Sequence, residues 1–483
     1  MRIILIYFFI FFTVISFFSC SNQINGPLES DLNESSYANT SPPIENFYPI
    51  PSKSQLDWEN SKITMFIHFG INTFTDKEWG DGTDDPKLFN PTNLDVNQWT
   101  EIAKEIGFKY LILTVKHHDG FCLWPSAYTD YSVKNSSYKN GKGDIVKEFA
   151  DACQENGLKF CFYLSPWDRH EPTYGTEKYN LYYQNQLIEL LNNYGDVGEV
   201  WLDNANGEGP NGKQQDYNWN LFYSTIKHYQ PNALISNMGP DIRWVGNESG
   251  LGNDTEWCPQ PATQILFGFS NVKVWYPSEA DISIRPGWFY HEKENYQIKD
   301  ANQLVDIYFN TVGKNSNLLL NVPPDKEGLI SNLDIAALRN WKNKLDEIFA
   351  NDLFFNKKIV ASNTRGVGND YAPQNCLDNN INTFWVTDDT VRKANLIISL
   401  NTKVNINIFK IEEAIEYGQR ICSFSLWANV NNNWEKIYSG ATVGRTRLIK
   451  ISPIFTDKIK LSIDSSYAAP TIRTFSAYYY PGL

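Results

Sequence analysis

Positive charge and paired cysteine are what this 483-residue chain has little of. Lys and Arg number 42 against 55 Asp and Glu, a formal net charge of −13. A chain this acidic is not built for generic polyanion binding, so nucleic acid is not an expected partner. Beyond Cys20, six cysteines stand at 122, 153, 161, 258, 376 and 422, with no CxxC pair and no histidine at metal-ligand spacing. That pattern argues against a dense disulfide framework and against a zinc site, and leaves room for one bridge at most. What is abundant is aromatic: 15% of the chain, with 15 Trp and 27 Tyr. Such a content suits surfaces that stack on sugar rings, although most of these rings serve as core.

At 483 residues the chain is too long for one compact domain. Residues 1–20, MRIILIYFFIFFTVISFFSC, place one Arg before an apolar run that ends on a small residue and Cys20. This reads as a signal peptide and not as a span of the mature chain. The closing FFSC resembles a lipobox, which predicts lipidation of Cys20 and an exported protein: a periplasmic or outer-membrane lipoprotein of a Gram-negative bacterium, held to the membrane by its lipid anchor only. An ordinary cleaved leader with an incidental Cys20 is the alternative. Residues 21–50, rich in Ser, Asn and Pro and without hydrophobic periodicity, read as a flexible tether.

From Ser61 onward short apolar runs alternate with amphipathic stretches. ITMFIHFG is followed by a helix over Asp95–Ile106, YLILTV by one over Asp144–Asn156, and KFCFYL by one near Tyr179–Tyr194. EVWLD, a helix near Trp219–Tyr229, ALISN and finally NLLLNV complete the series. Repeated β-then-α units over some 300 residues predict an α/β fold, a (β/α)8-like TIM barrel spanning 51–354. Residues 238–316 are too irregular to place strands six and seven. A last helix is predicted over Asn332–Phe354. Beyond it come short alternating strands such as NLIISL, FSLWAN and KIKLSI, between Asn- and Gly-containing turns, which predict an antiparallel β-sandwich over 355–483.

Catalytic groups of a parallel barrel collect at the C-terminal ends of its strands. The first run ends in His68, the second in His117 and His118, the third carries Tyr163 and the fourth ends Trp201-Leu202-Asp203. Taken singly, each has a plain alternative: a satisfied structural histidine, or a helix N-cap for Asp203. Three of six histidines converging with a carboxylate on one rim point to a site.

MFIHFGINTF, EWG, KHHDGFCLW, FYLSPWD and EVWLDNANGEGP occur in one order across residues 61–209, and RWVGNESG and RPGWFYH follow toward the barrel's end, so that the motifs cover some 300 residues. In these motifs the chain resembles glycoside hydrolase family 29, the α-L-fucosidases. The resemblance implies a retaining exo-α-L-fucosidase that acts by double displacement, with Asp203 as nucleophile. It implies a fucose pocket lined by His68, Glu78, Trp79, His117 and His118, with Tyr163, Trp201 and Trp288 as further lining. Retention needs a second carboxyl group about 5 to 5.5 Å from the first. In the subfamily that cleaves α-1,3 and α-1,4 fucosyl branches of Lewis-type glycans, that group is the Glu of WVGNE. Here it is Glu248, with Glu256 or Glu279 as alternatives. Imidazoles donate to and accept from sugar hydroxyls, and an aromatic wall suits the C5-methyl face of fucose. The sugar is uncharged, so catalysis calls for no cofactor or metal. The expected partner is a fucosylated oligosaccharide.

The stretch Asn375-Cys376-Leu377-Asp378 through Phe384-Trp385 resembles the first hairpin of discoidin-type (F5/8 type C) sandwiches. Asp378 is there a candidate ligand for a structural Ca²⁺. A broad-specificity fucosidase that includes α-1,2 linkages, and a non-catalytic surface glycan-binding lipoprotein, are the competing functions.

Overall fold

The computed structural model describes residues 41–482. The leader, the lipidation candidate Cys20 and residues 21–40 of the tether lie outside the described residues. After helix α1 (Lys53–Ser61) come β1 (Ile63–Ile67), the short α2 (Ile71–Thr75), α3 (Val96–Ile106), β2 (Tyr110–Lys116), α4 (Ile145–Asn156) and β3 (Lys159–Leu164). The chain continues with α5 (Glu177–Asn193), β4 (Val197–Leu202), α6 (Trp219–Tyr229), β5 (Leu234–Asn237) and β6 (Ile242–Trp244). An antiparallel excursion, β7 (Pro259–Pro261), α7 (Gln264–Phe267) and β8 (Lys273–Trp275), separates β6 from β9 (Ser278–Ser283). Then follow α8 (Ala301–Thr311), β10 (Ser316–Asn321) and α9 (Asn332–Phe349).

Eight of these strands close into a parallel barrel in the order β1-β2-β3-β4-β5-β6-β9-β10, with β10 pairing back on β1. The sixth and seventh barrel strands, which the sequence did not place, are therefore β6 and β9. Tyr110–Lys116 is buried at every position, as a strand covered on both faces must be. The crossover helices are delimited by local chemistry. Asp95 accepts from the Asn97 and Gln98 N–H groups at the start of α3, and Gly107 closes that helix at φ 106°. Asp144 accepts from Lys147 N at the start of α4, and Gly157 closes it at φ 70°. Each such N-cap contributes about 1 kcal/mol.

Helix α9 stops at Phe349, five residues before the expected Phe354. The reason lies in the second domain: Leu353 N donates to Ala477 O at 2.8 Å, the Asp352 carboxylate accepts from Phe354 N at 2.9 Å, and the Phe354 ring is fully buried in the C-terminal core. Tertiary pairing there overrides the helical pattern.

The C-terminal part holds β11 (Lys358–Ala361), β12 (Trp385–Val386), β13 (Ala394–Glu412), β14 (Ile421–Val430), β15 (Asn433–Gly440), β16 (Arg447–Ser466), β17 (Thr471–Ile472) and β18 (Thr474–Tyr478). Six of them form one antiparallel sheet, β11-β13-β16-β14-β15 with β18 on β13, while β12 pairs with β17. The core of this part is its own, centred on Trp385, Leu396, Phe409, Phe424 and Phe475. It docks on the side of the barrel where strands begin. Glu412 bridges Lys62, the residue before β1, and Arg445, both at 2.9 Å. Asn315, the residue before β10, accepts from Arg445 N, and Leu448 N donates to Gly313 O. The opposite end of the barrel is left for the site.

Candidate active site

The C-terminal ends of the barrel strands open into a cavity of about 490 Å³. His68 follows β1, His117 and His118 follow β2, Tyr163 lies in β3, Trp201 lies in β4 with Asp203 just beyond the strand's end, and Glu248 sits on the loop after β6. Glu78 and Trp79, from the loop after α2, and Trp288, from the loop after β9, complete the wall. All ten residues singled out in the sequence as catalytic or sugar-contacting thus line one cavity.

Asp203 is fixed through both carboxylate oxygens. Oδ1 accepts from Ala205 N at 3.0 Å and Oδ2 from the Tyr163 hydroxyl at 2.7 Å, while His118 Nε2 stands 3.9 Å from Oδ2. Burial, and then the Asp203 charge, push the Tyr163 phenol far above its ordinary range, so it remains a donor. One quarter of the Asp203 side chain stays exposed, facing the cavity.

Three buried imidazoles surround this carboxylate. Burial holds His68 down to about 3 and His118 to about 4, and keeps His117 well below its ordinary value, so all three are neutral near pH 7. Neighbours set two tautomers. The Asn321 amide donates to Trp288 O and Ser283 Oγ, which turns its oxygen toward His68 Nδ1 at 2.8 Å and places the proton on that nitrogen. Ser165 Oγ donates to Trp167 O, so it accepts from His118 Nδ1 at 2.7 Å. His68 and His118 therefore each keep Nε2 as an acceptor for a hydroxyl. His117 Nδ1 has no partner among the described residues. Trp288 packs at 5.2 Å from the His68 ring, and the exposed Trp79 meets the His118 and Trp167 rings at 6.0 and 6.1 Å.

The remaining carboxylates divide sharply. Glu248 is exposed, lines the cavity, and has no side-chain hydrogen bond or ion pair among the described residues. Its loop is pinned to β9 at both ends, Val245 N to Glu279 O at 2.8 Å and Gly250 N to Asp281 O at 3.0 Å. It turns at Gly246 and Gly250, whose φ values of 99° and 65° favour glycine. Glu256 is buried and bound to Arg243 and Asn253. Glu279 is buried in the barrel interior, accepting from Trp201 Nε1 at 3.0 Å and Thr64 Oγ1 at 3.1 Å, and burial pushes it well above the carboxylate range. Neither Glu256 nor Glu279 lines the cavity.

Asp281, Arg243, Trp244, Asn237 and Tyr276 also line it and were not singled out in the sequence. Asp281 accepts from Trp244 Nε1 at 2.7 Å, and burial, helped by the Glu248 and Asp203 charges, pushes it up to about 7. Inward alternation in β9, Glu279-x-Asp281-x-Ser283, was the available signal. Far from the cavity, Asp378 Oδ1 accepts from Asn380 N at 2.8 Å and Oδ2 from Thr383 Oγ1 at 2.7 Å, closing its own loop. No group of three or more His, Cys, Asp or Glu placed to hold a metal occurs among the described residues.

A closed parallel barrel whose strand ends gather a fixed aspartate, a free glutamate, neutral imidazoles and indole walls around one cavity defines a glycoside hydrolase. A family model described as alpha-L-fucosidase matches residues 29–345, and one described as F5/8 type C domain matches 358–474. Alpha-L-fucosidase 1 of Arabidopsis thaliana is 42% identical, with 98% of this chain and 93% of that protein covered. A fucosidase of Ruminococcus gnavus solved in complex with fucose superposes at a TM-score of 0.85 with 31% identity, covering 92% of this chain and 98% of that one. A glycoside hydrolase 29 family member from a rumen bacterium gives 0.80 and 38%, covering 91% and 79%. The chain belongs to the α-L-fucosidase family and carries an F5/8 type C, discoidin-like, domain behind the barrel.

Proposed function

We propose that this enzyme releases terminal α-1,3- and α-1,4-linked L-fucose from Lewis-type branches with retention of configuration, using Asp203 as nucleophile and Glu248 as acid/base. The observation that carries the reading is the pairing in one cavity of an aspartate held at both oxygens with a carboxylate left free, while Glu256 and Glu279 are committed elsewhere. In the first step an Asp203 oxygen bonds to the anomeric carbon as the glycosidic C–O bond breaks, and Glu248 gives its proton to the leaving oxygen. In the second step Glu248 takes a proton from water, the water oxygen bonds to the anomeric carbon, and the ester to Asp203 breaks. The neutral imidazoles of His68, His117 and His118 pair with sugar hydroxyls, and Trp79, Trp201 and Trp288 form the aromatic wall. No cofactor enters either step. The linkage preference rests on the WVGNE resemblance around Glu248.

Export and attachment through Cys20 follow from the leader and its FFSC close. No helix among the described residues is long and apolar enough to cross a membrane. The catalytic unit is read as 51–354 and the sandwich as 355–483, which acts as a brace because it docks at the strand ends away from the cavity. The test is fucose release from a Lewis-type trisaccharide, 2′-fucosyllactose and 4-nitrophenyl fucoside at equal concentration. The Lewis substrate is expected to be hydrolysed fastest; if the α-1,2-linked or aryl substrate leads, broad specificity replaces this reading.

A further inference from the structure

His291, on the loop that carries Trp288, is buried and plays no part in the chemistry above. Its two ring nitrogens meet two carboxylates: Nδ1 lies 2.5 Å from Asp76 Oδ1 and Nε2 lies 2.6 Å from Glu78 Oε1. Carboxylate oxygens only accept, so both contacts are hydrogen bonds only when both nitrogens carry protons. A neutral ring would turn one lone pair onto an oxygen lone pair at that distance. We propose that His291 is a positioning residue that bridges Asp76 and Glu78 as an imidazolium, and that the wall formed by Glu78, Trp79 and Trp288 keeps its sugar-binding shape only while that ring is doubly protonated. The inference rests on the reading of this wall as the fucose pocket.

The connections to the wall are direct. Glu78 Oε2 accepts from Trp288 N at 2.9 Å, and Oε1 accepts from Phe289 N at 3.2 Å as well as from the ring. Trp288 O in turn accepts from Asn321 Nδ2, the side chain that sets the His68 tautomer. The cluster has no slack, since a Cβ added at Gly287 would lie 2.6 Å from Glu78 Oε1 and 3.0 Å from His291 Cδ2.

The charged groups around the ring are few. Asp76 and Glu78 face it from the segment after α2, and Glu294 faces it from its own loop, with one oxygen accepting from Gly287 N at 3.1 Å. Lys293 and, from the segment after β10, Lys326 stand beside Asp76. Lys77 points away to Asp84, and Arg285 is taken up by Asp334. Burial alone would pull His291 down, yet the bonds to Asp76 and Glu78 and the Glu78 and Glu294 charges carry it above 6.5. The bridge is therefore complete below pH 6.5 and is lost as the pH rises through the raised value. Loss of one of its bonds loosens the wall and weakens sugar binding, with no direct effect on Asp203 or Glu248.

Two measurements on the full chain test this. Long-range proton–nitrogen spectra of protein labelled with ¹⁵N-histidine, six residues in all, identify the His291 signal by its loss in His291→Gln. At pH 6 that signal is expected to show two protonated nitrogens and to titrate above 6.5. Kinetics on a Lewis-type trisaccharide are expected to show a KM about fivefold higher in His291→Gln at pH 6, with kcat unchanged. The wild-type KM is expected to climb toward that value by pH 9, where the variant stays flat. A singly protonated His291 at pH 6, or a variant with wild-type KM and pH profile, overturns the proposal. If His291→Gln does not fold, His291→Asn replaces it. If the wild type releases no fucose, the functional reading fails by itself and the His291 titration alone decides this inference.

Discussion

The hydrogen bond from Tyr163 to Asp203 can be removed almost without touching anything else. Tyr163→Phe keeps the ring, and with it the contacts to Phe66 at 5.7 Å and Trp201 at 5.5 Å, and deletes only the hydroxyl that donates to Asp203 Oδ2 at 2.7 Å. A hydrogen bond to a charged acceptor contributes about 1.5–3 kcal/mol, and since a quarter of the Asp203 side chain can reach water the low end applies. In the proposed double displacement, with Asp203 as nucleophile, the two chemical steps feel the loss unequally. During attack Asp203 loses charge and needs the donor less; when the ester breaks, charge returns to Oδ2 and the donor is missed. The second step should therefore slow by roughly tenfold, about 1.4 kcal/mol, while the first changes little. The expected signature is a kcat about tenfold lower, a KM that falls with it, and a burst of the released acceptor sugar before steady state. Rapid-quench kinetics on a Lewis-type trisaccharide, with a thermal melt to confirm folding, read all three. A folded variant with kcat within twofold of wild type would refute the role given to this hydroxyl.

Glu248→Gln should slow natural oligosaccharides, whose leaving hydroxyl needs a proton, far more than aryl fucosides with good leaving groups; equal slowing of both, or a selective loss in Glu279→Ala instead, would move the acid/base role. Burial pushes Glu59, Asp119, Glu199, Asp281 and Glu413 all up to about 7, and these five outnumber the three histidines, His68, His117 and His118, that burial holds below their ordinary value, so on balance the folded chain holds more protons than the unfolded one between about pH 4 and 7. The sign follows directly: stability falls as pH rises through that window, and melting temperature should be lower at pH 8 than at pH 5. Asp281→Asn, which imitates the protonated form, should stabilise the fold at pH 8 by at most about 4 kcal/mol for a shift of this size, read as a higher melting temperature, and leave the melting temperature unchanged at pH 4. A melting temperature that rises from pH 5 to pH 8 would contradict the assignment.

Much of the barrel and of the cavity was legible because chemistry and pattern coincide there. His68, His117, His118 and Asp203 each end or follow an apolar run, and a polar residue at such a place stands out. Strands β6 and β9 hid for opposite reasons. Ile242–Trp244 is too short to show any period. Ser278–Ser283 is buried throughout, yet its interior positions are Glu279, Asp281 and Ser283, satisfied by Trp201, Trp244 and the Gly287 carbonyl, so it does not read as an apolar strand. Asp281 was missed with its strand. The end of α9 was misread because Phe354 continues the apolar rhythm of the helix while its ring belongs to the other core. Glu256 looked free in the sequence because Arg243, thirteen positions away, reaches it only in three dimensions.

Replacing Asp203 by Ala tests the central claim most directly. The variant should fold, since that side chain is only partly buried and its two donors can turn to water. It should release fucose from a Lewis-type trisaccharide at least about a thousandfold more slowly, a barrier higher by about 4 kcal/mol. Added azide or formate should restore part of the turnover by entering the vacated space beside Tyr163. Near-normal turnover by Asp203→Ala without any added anion would contradict the account.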